Sequence, residues 1–474
     1  MEGWRPSTSR ADGRERVSGD DERAMSRRIV ARVRTLILSV VALVVAVPHS
    51  STAQSKHSAA DSISDREFWR LFTTMSEESG SFPSENFVSN EKTYQYVIPT
   101  LQRTLTPNGV YLGVGPEQNF TYIVNLEPRM AVIFDIRRQN AMLHLMYKAL
   151  FELSPSRAEF VARLFSRPLP LLAPSATAAE IFAAAAVTPR NDSAFDATNQ
   201  AILDRLMIRH GFALSDSDVV SIRRVFQTFF VAGPDISYAY RLGAPPPSVT
   251  PFQVTFAQIQ TLTNADSVNM AFLATEENYR RIRSLEARNM VVPVVGDFAG
   301  PKAIRAVGDY LRQRGAVVTA FYTSNVEQYL FGGFGADKRF YRNVETLPID
   351  STSTFIRAVP VGVGVPVPGN PVLSAPPNAS VRSTDSAAVR IVTISSIDST
   401  GKTVTTVLRM DLPPPSTVGA FSSGIGRIRS ALDAFVNGQL DAYQQLVALT
   451  KTEGWQQTAK PSPPPSPAIR IERR

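Results

Sequence analysis

The sequence predicts an α/β protein built on a doubly wound, mostly parallel sheet, with a helical insertion and a small C-terminal β-hairpin plus helix. Three observations carry that prediction. Gly109 to Asn140 reads as strand, glycine turn, helix, strand and acid: an apolar run (Val110 to Val114) ends in a Gly-Val-Gly-Pro turn, and a second run (Met130 to Phe134) closes on Asp135. Met290 to Tyr322 repeats the pattern, with apolar runs at Met290 to Val295 and Ala316 to Tyr322 around a helical stretch from Lys302 to Arg314. These runs are continuously apolar rather than alternating, as expected of parallel strands covered on both faces.

The chain has 474 residues, of which 43% are hydrophobic, enough for a sizeable core. The formal charge of +8 is concentrated at the ends. Residues 1–34 hold nine arginines against six acids, and residues 460–474 hold four basic residues against one acid, leaving +2 for everything between. A nearly neutral body gives no electrostatic footprint for nucleic acid. The absence of cysteine excludes disulfides, thiolate catalysis and Cys-based zinc sites.

The N-terminal region, residues 1–53, reads as a signal peptide. Thr35 to Val47 is thirteen residues without a charge, short for a membrane span and right for a signal-peptide core. Arg27, Arg28, Arg32 and Arg34 precede it, and Ser51-Thr52-Ala53 supplies a cleavage site after Ala53. Met25 alone would start an ordinary signal peptide, so residues 1–24 read as an overlong start. Ser26-Arg27-Arg28 resembles a twin-arginine signal without its usual apolar pair. The expected location is periplasmic or secreted, the alternative being an uncleaved anchor in the inner membrane.

The rest follows in order. Residues 54–63 are a polar spacer. Ser64 to Met75 is an amphipathic helix, with Ser64 and Glu67 spaced as a capping box. Gly80 to Asn90 is loop, and Thr93 to Leu105 is helix up to Pro107-Asn108-Gly109. Arg137 to Leu153 is a helix bearing His144 and Lys148. Residues 155–251 form the helical insertion within an α/β domain spanning 64–360. Phe252 to Phe256 suggests a short strand, Thr275 to Asn289 a charged helix and Thr354 to Val359 a last strand. Residues 361–380 are a Pro/Gly-rich linker. Residues 381–459 hold a hairpin around Ser399-Thr400-Gly401-Lys402 and a closing helix from Val418 to Thr450. Residues 460–474 are a Pro-rich tail lacking the apolar pattern that would order it.

Strand tips are where open α/β sheets place ligand-binding groups. Gly113 and Gly115 let the backbone approach a ligand. Asp135 ends the second strand, where a carboxylate accepts hydrogen bonds from a ribose. Glu117, Gln118 and Asn119 either cap the following helix or face the ligand. Asp297 follows the next strand and either faces the crevice or caps the helix after Pro301. Ser324, Asn325 and Glu327 follow the strand after that. Arg137 to Asn140 read as a solvated face, the alternative being contact with an anionic ligand. Four histidines leave little for a His-rich metal site, and no P-loop or G-x-S-x-G elbow is present.

At these residues the chain resembles class I S-adenosylmethionine-dependent methyltransferases: a glycine turn at LGVGPEQN, an acid closing strand two at IFDI, and a strand-tip acid at VVGDFAGP. The phrases VGPEQNFTYI, DIRRQN, VPVVGDFAGPKA and FYTSNVEQYL are also similar to those of a bacterial family sharing this layout. The resemblance spans roughly Ser64 to Pro360. It implies S-adenosylmethionine as cofactor, with Gly113, Gly115 and Glu117 beside it and Asp135 on its ribose. Asp297 would lie near the reacting centre. The strand-tip positions add Asp297 or Glu327 as the catalytic base and Ser324 and Asn325 as substrate-binding candidates. Tyr111 stands where the family has an acid two residues before the first glycine, and Gln118 where a third glycine would fall.

The reading is an exported protein with a methyltransferase-like pocket for a small molecule, an S-adenosylmethionine-dependent transferase in the first place. The rival is a non-catalytic envelope binding module using the same crevice, since S-adenosylmethionine is made in the cytoplasm. A nicotinamide oxidoreductase fits less well because the G-x-G-x-x-G pattern fails. The expected partner is a small-molecule ligand, with no nucleic acid, and with a membrane only through an uncleaved N-terminus.

Overall fold

The computed structural model describes residues 62–173, 175–244, 254–361, 380–385, 389–397, 403–411 and 420–452. The signal segment, the 361–380 linker and the tail from Lys460 lie outside the described residues, Val361 and Ser380 excepted.

Helix α1 (Asp65–Met75) starts at Ser64, whose hydroxyl accepts from the Glu67 amide, and buries Phe68, Leu71, Phe72 and Met75. Only half of the expected box forms, because the Glu67 carboxylate turns to Arg70. Helix α2 (Ile98–Thr104) is shorter than the sequence pattern suggests, since Pro99 fits only the first turn. Strand β1 (Val110–Val114), helix α3 (Gln118–Leu126) and strand β2 (Met130–Asp135) form the first βαβ unit, with every residue of β2 buried.

Helix α4 (Arg138–Leu153) is buried continuously from Asn140 to Phe151. The insertion accounts for this burial. Its helices α5 (Arg157–Leu164), α6 (Ala178–Val187), α7 (Asp192–Leu203), α8 (Asp216–Ala232) and α9 (Phe256–Thr261) pack on one another, and α5, α7 and α8 also pack on α4. A ring cluster of Tyr147, Phe151, Phe160 and Phe229 joins α4 to the insertion. Phe256 begins α9 instead of ending a strand, because the Thr255 hydroxyl and Gln258 form a capping box.

Helix α10 (Glu276–Ala287), strand β3 (Val291–Val295), helix α11 (Ala303–Gln313), strand β4 (Val318–Ser324), helices α12 (Val326–Leu330) and α13 (Ala336–Val344) and strand β5 (Ile349–Val361) complete the second half. Strands β6 (Ser380–Asp385), β7 (Val389–Ile397) and β8 (Thr403–Asp411) form a separate antiparallel sheet, so the expected hairpin gains a third strand.

Beyond them, β9 (Ala420–Arg427) is a strand where a helix was expected. Helices α14 (Ile428–Val436) and α15 (Tyr443–Ala448) and strand β10 (Lys451–Thr452) follow. Glycine explains the strand. A Cβ at Gly426 would come within 2.8 Å of the Leu449 carbonyl, and one at Gly424 within 3.0 Å of the Lys451 carbonyl. Only bare backbone lets the chain return against β9.

The main sheet has seven strands in the order β10-β9-β5-β4-β1-β2-β3. The strands from β5 to β3 are mutually parallel, while β9 and β10 each run antiparallel to their neighbour. Chain order therefore runs outward from β1 in opposite directions on its two sides. Helices α2, α3, α4 and α10 pack together, whereas α1, α11, α13 and α14 form a second group. At the β3 end of the sheet, the Val295 amide donates to the Ser76 hydroxyl and the Glu77 amide donates to the Val295 carbonyl.

Candidate functional site

A cavity of about 580 Å³ opens at the carboxyl ends of β1, β2, β3 and β4. Its floor is Val114, Gly115, Asp135, Gly296, Asp297, Tyr322 and Ser324, all at strand tips. The segment from Ser81 to Lys92 forms one wall, and Tyr238, Asn325, Gln328 and Tyr329 contribute to the remainder.

The glycine turn is locked from beneath. Gly115 has φ +78°, a left-handed conformation that favours glycine. Its carbonyl accepts from His144 Nε2 at 2.8 Å and from Asn140 Nδ2 at 3.2 Å. Asn119 donates to the Val114 and Pro116 carbonyls and accepts the Tyr111 hydroxyl. Gly113 serves that lock, since a Cβ there would fall 1.9 Å from Asn119 Oδ1. Of the two glycines, only Gly115 lines the cavity.

Glu117 occupies the N-cap position of α3 without capping it. Fully buried, it accepts the Ser89 amide through Oε1, while Oε2 has no partner, and burial pushes its carboxyl up to about 8. Burial also holds His144 down to about 4, so it is neutral at pH 7.

Asp135 reaches the cavity already paired. Arg137 grips it with Nε to Oδ1 and Nη2 to Oδ2, both at 3.0 Å, and the Arg137 amide adds a 2.8 Å bond to Oδ1. The same guanidinium donates to the Ser84 and Glu85 carbonyls, tying the wall segment to the β2 tip. The 137–140 stretch is therefore not a solvated face. Arg137 and Asn140 are buried, and Arg138 pairs with Asp218.

Asp297 lines the cavity, and its Oδ1 accepts the Ala299 amide at 2.9 Å. The α11 start is capped instead by Glu77, which accepts the Lys302 and Ala303 amides. Burial raises the Asp297 carboxyl above its ordinary value, and the nearby Glu77 carboxylate adds to this. Ser324 and Asn325 also line the cavity, Ser324 with φ +52°.

The structure does not bring Glu327 to this group. Its carboxylate points into the core, where Arg357 Nε lies at 2.7 Å and the Tyr341 and Thr323 hydroxyls donate at 2.6 and 2.9 Å. With both oxygens engaged and the residue 2% exposed, it is no base for a ligand in the cavity.

Glu91 was invisible to sequence reasoning. Only 6% exposed, it lines the cavity and accepts Tyr322 Oη at 2.7 Å, Ser324 Oγ at 2.5 Å and Gln118 Nε2 at 3.0 Å. Burial raises its carboxyl above the usual range. Among the described residues no group of acids and histidines could hold a metal ion, and no helix is long and apolar enough to cross a membrane.

The fold and site together define an α/β protein with a crevice at its strand tips, largely apolar and carrying a few acids. Residues 86–169 and 177–397 match the family described as "Domain of unknown function (DUF7790)", well over half the chain, and the protein belongs to that family. No curated protein matches it in sequence. Among solved structures it is similar to the CcbJ methyltransferase from Streptomyces caelestis, at 14% identity and a TM-score of 0.14. That similarity covers 35% of this chain and 60% of the other.

Proposed function

We propose that the cavity binds a nucleoside-type small molecule, S-adenosylmethionine in the first place, on a doubly wound, methyltransferase-like sheet in an exported protein. One observation supports this above the others: the cavity opens beside β1, where the strand order reverses, the place where such sheets bind ligands. Gly115 offers close backbone approach there. Asp135 Oδ2 takes one bond from Arg137 and keeps acceptor capacity for a ribose hydroxyl. Asp297, its carboxyl raised by burial, suits a group that takes a proton from a methyl acceptor. Beyond that proton, catalysis would be the positioning of donor and acceptor.

A second reading, a non-catalytic envelope binding module, is favoured by the closed Asp135–Arg137 pair. Calorimetric titration with S-adenosylmethionine and its demethylated product decides between the two. Saturable binding below millimolar supports the first, and no heat at millimolar ligand leaves the second. With binding established, Asp135→Asn should weaken it about tenfold to a hundredfold, the effect of losing a charge-assisted hydrogen bond.

A further inference from the structure

The cavity's acids are not equally compensated. Asp135 is neutralised by Arg137. Glu91 makes no ion pair among the described residues, and its three side-chain partners, Tyr322, Ser324 and Gln118, are all neutral donors. A buried carboxylate held only by neutral donors keeps a large desolvation cost, which a neighbouring cation would offset. The titratable groups facing Glu91 are the phenols of Tyr111 on β1, Tyr122 on α3 and Tyr322 on β4, none of which supplies positive charge. Lys92, next in the chain, also lines the cavity but is exposed, and it makes no ion pair with Glu91.

The walls add a second observation. Phe82, Tyr238, Tyr322 and Tyr329 all line the same cavity. Ring faces attract cations, and aromatic cages recognise onium groups. Phe82 already does so within the protein, with the Arg137 guanidinium 5.7 Å above its ring.

We propose that Glu91, with these aromatic walls, selects a ligand carrying an onium group, a positively charged sulfonium or ammonium. This rests on the reading that the cavity binds a small molecule and names the charge of that ligand. It assigns a role to a residue of the segment before β1, outside the glycine turn and the strand-tip acids.

Two probe pairs test it by calorimetry on the full chain. S-adenosylmethionine and S-adenosylhomocysteine differ in the sulfonium charge, and choline and its uncharged carbon isostere dimethylbutanol differ in the ammonium charge. The expected result is that wild type prefers the charged member, and that Glu91→Gln weakens that member about tenfold while changing the neutral one less than about twofold. Equal affinities within the pairs, or equal weakening of both members, overturn the proposal even where both nucleosides bind, and the nucleoside reading then stands alone. Preference for choline with neither nucleoside bound supports the proposal and rejects the nucleoside reading. No binding of any probe overturns both. Should Glu91→Gln fail to fold, the wild-type preference decides by itself.

Discussion

The β2 tip and the segment facing the β4 tip both bury carboxylates beside one cavity, and they treat the charge in opposite ways. At β2, Asp135 meets a guanidinium two residues away in a bidentate pair that also holds the Ser84 and Glu85 carbonyls. Glu91, which lines the cavity beside the β4 tip, and Glu117, buried at the start of α3 behind the same loop, have hydrogen-bond donors and no ion pair among the described residues. One side is electrostatically finished and serves as architecture. The other keeps a charge deficit that a ligand or a proton must fill. Burial alone therefore does not mark a working acid; what stands next to it does.

The largest expected effect removes the finished side. Arg137→Ala leaves Asp135 buried without its cation and unties the 84–85 carbonyls, and should cost about 3–5 kcal/mol in a denaturant melt. A loss below about 1 kcal/mol would break the comparison by showing that Asp135 tolerates burial alone.

The next concerns Glu117, whose folded carboxyl is pushed by burial from its ordinary 4.5 up to about 8. Between those values the folded protein holds a proton that the unfolded chain has released, so stability falls as pH rises. The loss is complete only above the folded value. Glu117→Gln has no such proton to lose. Its stability relative to wild type should rise from about pH 5 to about pH 8, by up to about 1.4 kcal/mol per pH unit. Burial pushes Glu286 to about 8 as well, and that group is common to both proteins, so it drops out of the difference. A flat difference would mean that Glu117 is ionised in the folded protein.

Gly115 lies between the two sides. Gly115→Ala places a Cβ in the left-handed region and should cost about 1–2 kcal/mol by chemical denaturation. Its Cβ would meet only Asn86 Nδ2, at 3.5 Å, so a larger loss would reveal a tighter turn than the contacts suggest. The smallest effect belongs to an exposed pair. Arg70→Ala breaks the contact with Glu67 and should change stability by less than about 1 kcal/mol.

Much of this molecule was legible in its sequence. The parallel strands announced themselves as unbroken apolar runs, because both faces of the sheet are covered. Asp135 and Asp297 could be placed at strand tips because one closes its apolar run and the other stands two residues past the end of its run. Glu327 misled for a geometric reason. Three residues past the β4 tip, helix α12 turns its side chain back into the core, towards Arg357. An arginine in the apolar run of β5 was the available signal, since a buried guanidinium requires an acid. The Asp135–Arg137 pair stayed hidden because an Arg-Arg stretch after a strand reads as solvated. Glu91 left no trace, for its loop residues Ser89-Asn90-Glu91-Lys92 carry no periodicity and the burial of Ser89 and Glu91 depends on contacts from α3 and β4. Strand β9 was missed because its serines and glycines follow no apolar pattern.

The tie between Ser76–Glu77 and Val295 has a consequence for self-association. β3 ends the sheet, and an outer strand with unpaired amides invites another chain to add to it. Here the chain that has just left α1 takes the last β3 amide and carbonyl for itself, and Glu77 then crosses to the start of α11. The segment acts as a selvedge, closing the weave on that side. A chain shortened past Glu77 would lose that finish, and its sheets would be open to stacking edge to edge into oligomers.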